Sequence, residues 1–330
     1  MQPKMSQYKY LPLILLSLTV TTAFADPILV DEADWLKTMA TAAHRVNYSG
    51  VYVYQSGGRV EMSRITHVSD AAGEHERLEG IGGDKRELIR DNDQVWLYSD
   101  GHKVRLAKGQ TRRAFPALLP EQISILKQNY SVTNAEEDDV AGYHAHAVVF
   151  LPRDNLRYAR KMWADSNTGL LLKAVVLNDR GYIIEQYAFM QLNIGDNIDR
   201  KWIVPDKSSA AEVAQELHLS PLPKVELLEE PCGWQVDALP PGFKKIIEMR
   251  RPFHGNKEHV IQMVFSDGLA GISVFIEKAQ EASYIHSGLS GQGAAHVYNR
   301  VVGDSLVTVV GEVPSRTVIQ VGDSVRYAGE

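Results

Sequence analysis

The stretch YARKMWADSNTGLLLKAVV, Tyr158 to Val176, sets four small polar residues, Asp165, Ser166, Asn167 and Thr168, between two apolar runs. Such a cluster is either a metal-binding or catalytic corner or the turn between two strands. The flanks, residues 157–164 and 170–177, have strand composition. Between them, Gly169 can take positive φ, and Asp165 or Asn167 can hydrogen-bond its own backbone. A calcium loop on this spacing would need further oxygen ligands in register and a terminal acidic residue. After Gly169 come only leucines and Lys173. The cluster therefore reads as a hairpin.

The same rhythm runs outward in both directions. NYSGVYVYQ (47–55) alternates, with Tyr48, Gly50, Tyr52 and Tyr54 on one face and Val51 and Val53 on the other. Gly57-Gly58 turns the chain into RVEMSRITHV, and short strands punctuated by Gly82-Gly83-Asp84 and Asn92-Asp93 follow. An amphipathic helix is expected over 31–46, where Trp35, Met39, Ala42, Ala43 and Val46 recur at helical spacing. A second is expected within 115–130, opened by Pro120 and Glu121 and carrying Ile123, Leu126 and Tyr130 on one side. Strands then resume with YHAHAVVFL and continue through YIIEQYAFMQL.

At residues 205–233 the composition turns polar, Ala-rich and proline-bounded, which reads as an inter-domain linker with room for a short helix at 210–217. Beyond it, five further strands and a final helical segment, SRTVIQVGDSV, suffice for a small α+β domain over 234–330. At the other end, Lys4 and Lys9 precede the apolar run LPLILLSLTV and the small-x-small signature Ala23-Phe24-Ala25. This predicts a signal peptide over residues 1–25, cleaved after Ala25, and an exported mature chain over 26–204, 205–233 and 234–330. Losing Lys4 and Lys9 takes the formal charge from −6 to −8, which disfavours nucleic acid as a partner. The single Cys232 cannot form an internal disulfide.

Candidate chemistry is thin. His144 and His146 share a strand face near Asp138 and Asp139, but no partner completes the three or four ligands a zinc site needs. GLSGQG (288–293) fails the nucleophile elbow because Gln292 holds the place of the second Gly. A triad of Ser266, Asp267 and His296 would need geometry that sequence cannot supply, and a Ser266-Asp267-Gly268 turn is the simpler reading. No catalytic residue, metal or cofactor is expected. An apolar payload remains. Tyr48, Tyr52 and Tyr54 share one face and Leu170, Leu172, Ala174 and Val176 another, and either a lipid-lined cavity or an ordinary core would use such residues.

Several blocks in fixed order resemble the RseB/MucB family of periplasmic negative regulators of envelope-stress sigma factors. They are NYSGVYVYQ (47–55), FPALLP (115–120), PRDNLRYARKMWADSNTGLLLKA (152–174), LPPGFK (239–244), VFSDGLAGISVFIE (264–277), GLSGQGAAHVYNR (288–300) and GEVPSRTV (311–318). Trp96 and Ala270-Gly271 depart slightly from the pattern. The resemblance implies an α+β, mostly β protein. Its N-terminal domain would be a LolA/LolB-like unclosed antiparallel β-barrel over helices, followed by a smaller C-terminal α+β domain. It also implies binding to the periplasmic domain of a membrane-spanning anti-sigma factor of the RseA/MucA type, shielding of that factor from proteolysis, and release by lipopolysaccharide or a related lipid. Self-association to a homo-oligomer is implied as well. On this reading Tyr52, Trp163, Leu170 and Leu172 are the candidate apolar cavity, residues that an ordinary core would equally use. The turn Ser266, Asp267, Gly268 and Leu269 and the glycine-rich loop with Gly288, Gly291 and Gly293 are the candidate exposed partner surface. Two other classes stay open: a periplasmic lipid or lipoprotein carrier of the LolA/LolB type, and an envelope hydrolase using Ser290 or Ser266.

Overall fold

The computed structural model describes residues 32–82, 86–99, 102–106, 114–196, 198–203, 226–228, 232–252, 259–279 and 288–328. The expected signal peptide and most of the expected linker, with its short helix, lie outside the described residues.

Helix α1 (Glu32–Arg45) opens the fold, and Leu36, Met39, Ala40 and Ala43 all turn inward at helical spacing. The chain then runs through β1 (Tyr48–Ser56), β2 (Arg59–Asp70), β3 (Gly73–Ile81), β4 (Arg86–Asp91), β5 (Gln94–Ser99) and β6 (His102–Leu106). After the short α2 (Ser124–Asn129) come β7 (Tyr130–Val140), β8 (Tyr143–Pro152), β9 (Ala159–Asp165), β10 (Leu171–Leu177) and β11 (Ile183–Ile194). These strands form one antiparallel sheet in the order β6-β5-β4-β3-β2-β1-β11-β10-β9-β8-β7. The order begins at β6 and ends at β7, so the expected barrel stays unclosed. Pairing β1 with β11 joins the two meanders, and the alternation expected of β1 holds: Tyr48 and Tyr52 are buried on one face.

The helix expected within residues 115–130, opened by Pro120 and Glu121, is present but shorter. Only Ser124–Asn129 is helical; Ile123 precedes it without a side-chain cap, and Tyr130 already has extended backbone (φ −126, ψ 144) as the first residue of β7. Without a capping side chain, and with Tyr130 drawn into a buried hydrogen bond elsewhere, local periodicity gives way to tertiary contact.

The second sheet has the order β12-β14-β15-β16-β19-β18-β17. Its strands are β12 (Glu226–Leu227), β14 (Lys244–Pro252), β15 (His259–Ser266), β16 (Gly271–Lys278), β17 (Gly288–Gln292), β18 (Ala295–Val302) and β19 (Ser305–Gly311). β13 (Trp234–Val236) pairs separately with β20 (Val325–Tyr327). In β16 the strict alternation buries Ile272, Val274 and Ile276, and helix α3 (Ser315–Asp323) closes that face with Val318 and Val321. Each such side chain contributes about 1.5–3 kcal/mol by leaving water.

The opening hairpin is as read. The Asp165 carboxylate accepts from the Thr168 backbone N–H at 2.8 Å and its hydroxyl at 2.6 Å, and the Gly169 N–H donates to the Asp165 carbonyl at 2.8 Å. Gly169 has φ +76, and a Cβ there would lie 2.8 Å from Thr38 of α1, so the position demands glycine twice over.

Candidate functional site

The four residues expected to line one apolar cavity do not face one space. Val53, Ala188, Lys173 and Trp163 stand in a single cross-strand row, and Tyr52, one residue before Val53, pairs instead with Phe189. Successive strand residues face opposite ways, so Tyr52 and Trp163 lie on opposite faces of the sheet. Tyr52 packs its ring edge-on to Phe115 and Phe189, and burial pushes its pKa up to about 12. Trp163 lies under the Lys161 and Lys173 ammonium groups, 4.7 and 4.5 Å from its ring. Leu170 and Leu172 are fully buried, and the register shifts between Leu171 and Lys173, so the even-numbered face expected for this strand is broken. All four side chains belong to the packed core.

The residues expected to form an exposed partner surface divide between buried, half-buried and exposed positions. The Ser266–Leu269 turn is not an exposed loop: Asp267 is 1% exposed, and a Cβ on Gly268 (φ +103) would lie 3.2 Å from both Leu126 and Pro120 of the first sheet's α2 region. Gly288 and Gly291 are exposed, but on the edge strand β17 rather than in a loop, and Gly293 is half-buried in the turn that follows, where Gly57 approaches it. A hydrolytic triad does not assemble. The Ser266 hydroxyl donates to the Ala270 carbonyl, His296 contacts the Val313 carbonyl at 2.9 Å, and Asp267 is engaged with an arginine. Ser290 is exposed on β17. His144 lies 3.2 Å from Glu137 and 3.3 Å from Asp139, and no group of three or more His, Cys, Asp or Glu able to hold a metal ion occurs among the described residues. Burial next to Glu248 pushes the Cys232 thiol up to about 11.

What the Ser266–Leu269 turn builds is a charged joint between the two sheets. One Asp267 oxygen accepts the Leu269 and Ala270 backbone N–H groups and so shapes the turn. The other accepts the Tyr130 hydroxyl at 2.8 Å and an Arg157 Nη at 2.6 Å, both from the first sheet's side. Arg157, itself 1% exposed, also donates to Asp154 from Nε and Nη2, and from Nη2 to the Pro241 carbonyl at 2.6 Å. Its guanidinium sits 5.5 Å from the Tyr130 ring and 5.3 Å from the Phe243 ring. Burial, reinforced by the Asp267 charge, raises the Tyr130 pKa far above its ordinary value and keeps the phenol a donor. Around this joint, Arg316 donates to the Asn155 carbonyl and pairs with Asp179, Thr317 donates to the Leu156 carbonyl, and Gln292 reaches the Gly57 carbonyl at 3.3 Å. Sequence reading missed Arg157, Asp154 and Tyr130 as a group, because an arginine inside a polar loop carries no mark of burial. The spacing Asp154-x-x-Arg157 was the one available signal.

Fold and joint define a two-domain, β-rich protein whose halves meet through buried charge and which assembles no catalytic constellation among its described residues. Residues 31–207 match the MucB/RseB N-terminal domain and residues 229–326 the MucB/RseB C-terminal domain. The sigma factor AlgU regulatory protein MucB of Pseudomonas aeruginosa is 30% identical over 90% of this chain and 91% of its own. The sigma-E factor regulatory protein RseB of Haemophilus influenzae is 24% identical over 97% and 98%. Among solved structures, the Pseudomonas aeruginosa MucA/MucB complex matches with a TM-score of 0.73 at 27% identity, covering 91% of this chain and 100% of that chain. The chain belongs to the MucB/RseB family. Its relatives are regulatory proteins, not enzymes.

Proposed function

We propose that this protein is an exported negative regulator that binds the periplasmic segment of a membrane-spanning anti-sigma factor, shields it from regulated proteolysis, and lets go on a lipid signal. The observation that carries the reading is the match, across both domains and 100% of that chain, to a structure of MucB with MucA. Lys4 and Lys9, the apolar run after them and the Ala23-Phe24-Ala25 signature agree with export and cleavage after Ala25. An acyl chain would find its apolar surface where the packed core runs out toward the open edge of the sheet. Buried Ile65 pairs with Leu78, Leu78 with Leu88 and Leu88 with Leu97, so three half-buried leucines run in one row toward the open β6 edge. Self-association to a homo-oligomer belongs to the same reading. The test is calorimetric titration of the mature chain with the anti-sigma factor's periplasmic segment, followed by protease challenge of the mixture with and without lipopolysaccharide. Saturable binding and protection that lipopolysaccharide abolishes are expected. Absence of binding overturns the proposal.

A further inference from the structure

Arg157 is the largest fully buried side chain among the described residues, and it is charged. Four of its five N–H donors are used by acceptors on both sides of the joint: two go to Asp154, one to Asp267 and one to the Pro241 carbonyl. Asp267 in turn has all its strong acceptor directions filled by Leu269, Ala270, Tyr130 and Arg157. A planar guanidinium fork held this way tolerates little rotation, whereas an apolar contact would accept a range of angles. Stability alone does not account for it, since well-packed apolar residues commonly replace a buried ion pair at no loss. What such a pair does supply is a unique geometry, and here the geometry is that of one sheet against the other. Elsewhere across the joint, Thr317 and Gln292 make single hydrogen bonds to backbone carbonyls, the Arg316–Asp179 pair is solvent-exposed, and Arg160 and Glu312 stand 3.9 Å apart, so none holds a geometry as tightly.

We propose that Arg157 and Asp267 are positioning residues that fix the angle between the two domains, and that this angle makes the chain competent to bind the anti-sigma segment. The second half rests on the function proposed above; the first half does not.

The two halves are tested together with a closable staple. A Cβ built on Gly293 lies 3.1 Å from the Ser56 Cβ, within disulfide reach for Ser56→Cys with Gly293→Cys, and the backbone strain of a side chain at φ +60 is common to every protein compared. The thiol pair is placed in full-length mature protein carrying Cys232→Ser, alone and with Arg157→Met or Asp267→Asn. Two quantities are read: the rate of disulfide formation in a fixed redox buffer, and affinity for the periplasmic segment before and after oxidation. The joint variants should pair their thiols at least ~10-fold more slowly and bind the segment at least ~10-fold more weakly when reduced. Oxidation should return binding to within ~3-fold of the parent.

Unchanged pairing rates would overturn the claim that the pair fixes the angle. Slow pairing with undiminished binding, or binding that stays lost after oxidation, would overturn the link to the partner. If the parent itself does not bind the segment, the proposed function fails, while the pairing rate still decides the role of Arg157 and Asp267. Should a single variant unfold, Arg157→Met with Asp267→Leu removes both charges at once and serves in its place.

Discussion

The packed interior of the first sheet and the joint between the sheets both hold fully buried side chains but are built from opposite materials. The interior is Tyr52, Phe115, Phe150, Leu170, Leu171 and Leu172 with the inner face of α1. The joint is Arg157, Asp267, Tyr130 and Asp154. Apolar packing is non-directional, so the interior supplies free energy and tolerates small adjustments. A buried ion pair is directional, and most of its Coulomb gain is offset by desolvation, so the joint supplies orientation instead. Burial by itself therefore does not reveal what a residue is for; the chemistry of what is buried does.

The sharpest way to break this comparison is Arg157→Ala. It strands Asp267 without its counter-charge and should cost about 3–5 kcal/mol. Because the loss falls on the joint, calorimetry should resolve two unfolding transitions where the parent shows one. A single lowered transition would place the arginine in a common core. Leu170→Ala comes next, with an expected loss of about 2–5 kcal/mol. Its effect should be confined to the first sheet: hydrogen exchange rises in β9 and β10 while β16 and β19 keep their protection.

The smallest effect is at the rim of the interior, where His44 on α1 and buried His67 both face Glu74 of β3, at 2.9 and 3.4 Å. Burial opposes the Glu74 charge, but the hydrogen bond from His44 and the nearness of His67 hold its carboxyl well below its ordinary 4.5. The His44 pKa is raised above 6.5, chiefly by its hydrogen bond to Glu74. The contact is therefore fully formed between about pH 4.5 and 6.5. It weakens as pH rises through the folded pKa of His44 and as pH falls through that of Glu74. His44 is substantially exposed, so Glu74→Gln should remove about 0.2–1 kcal/mol, most visibly inside that window. A parent and variant with parallel stability–pH curves would show that these groups are not coupled to folding.

Much of the architecture was legible in the sequence because strand alternation and turn chemistry are local. The Asp165–Gly169 hairpin, the Tyr48–Tyr54 face, α1 and the final helix all follow from spacing and from residues with special backbone freedom. Reading failed where a local pattern met a distant partner. Tyr130 had helical spacing but became a strand residue whose hydroxyl is held by Asp267, 137 positions away. The Leu170–Val176 alternation was broken by a register shift that depends on β9. Ser266–Leu269 looked like a free turn because residue type says nothing of what lies opposite.

The sequence by itself determined a mostly β chain in two parts, with family blocks in order and no catalytic motif, since these depend on periodicity and residue identity along the chain. Only the tertiary structure decided that Tyr52 and Trp163 face apart, that Asp267 of the SDGL turn is buried, and that Arg157 meets it. Those facts depend on register and on contacts between residues more than a hundred positions apart, and a buried charge is intelligible only once its partner is in place.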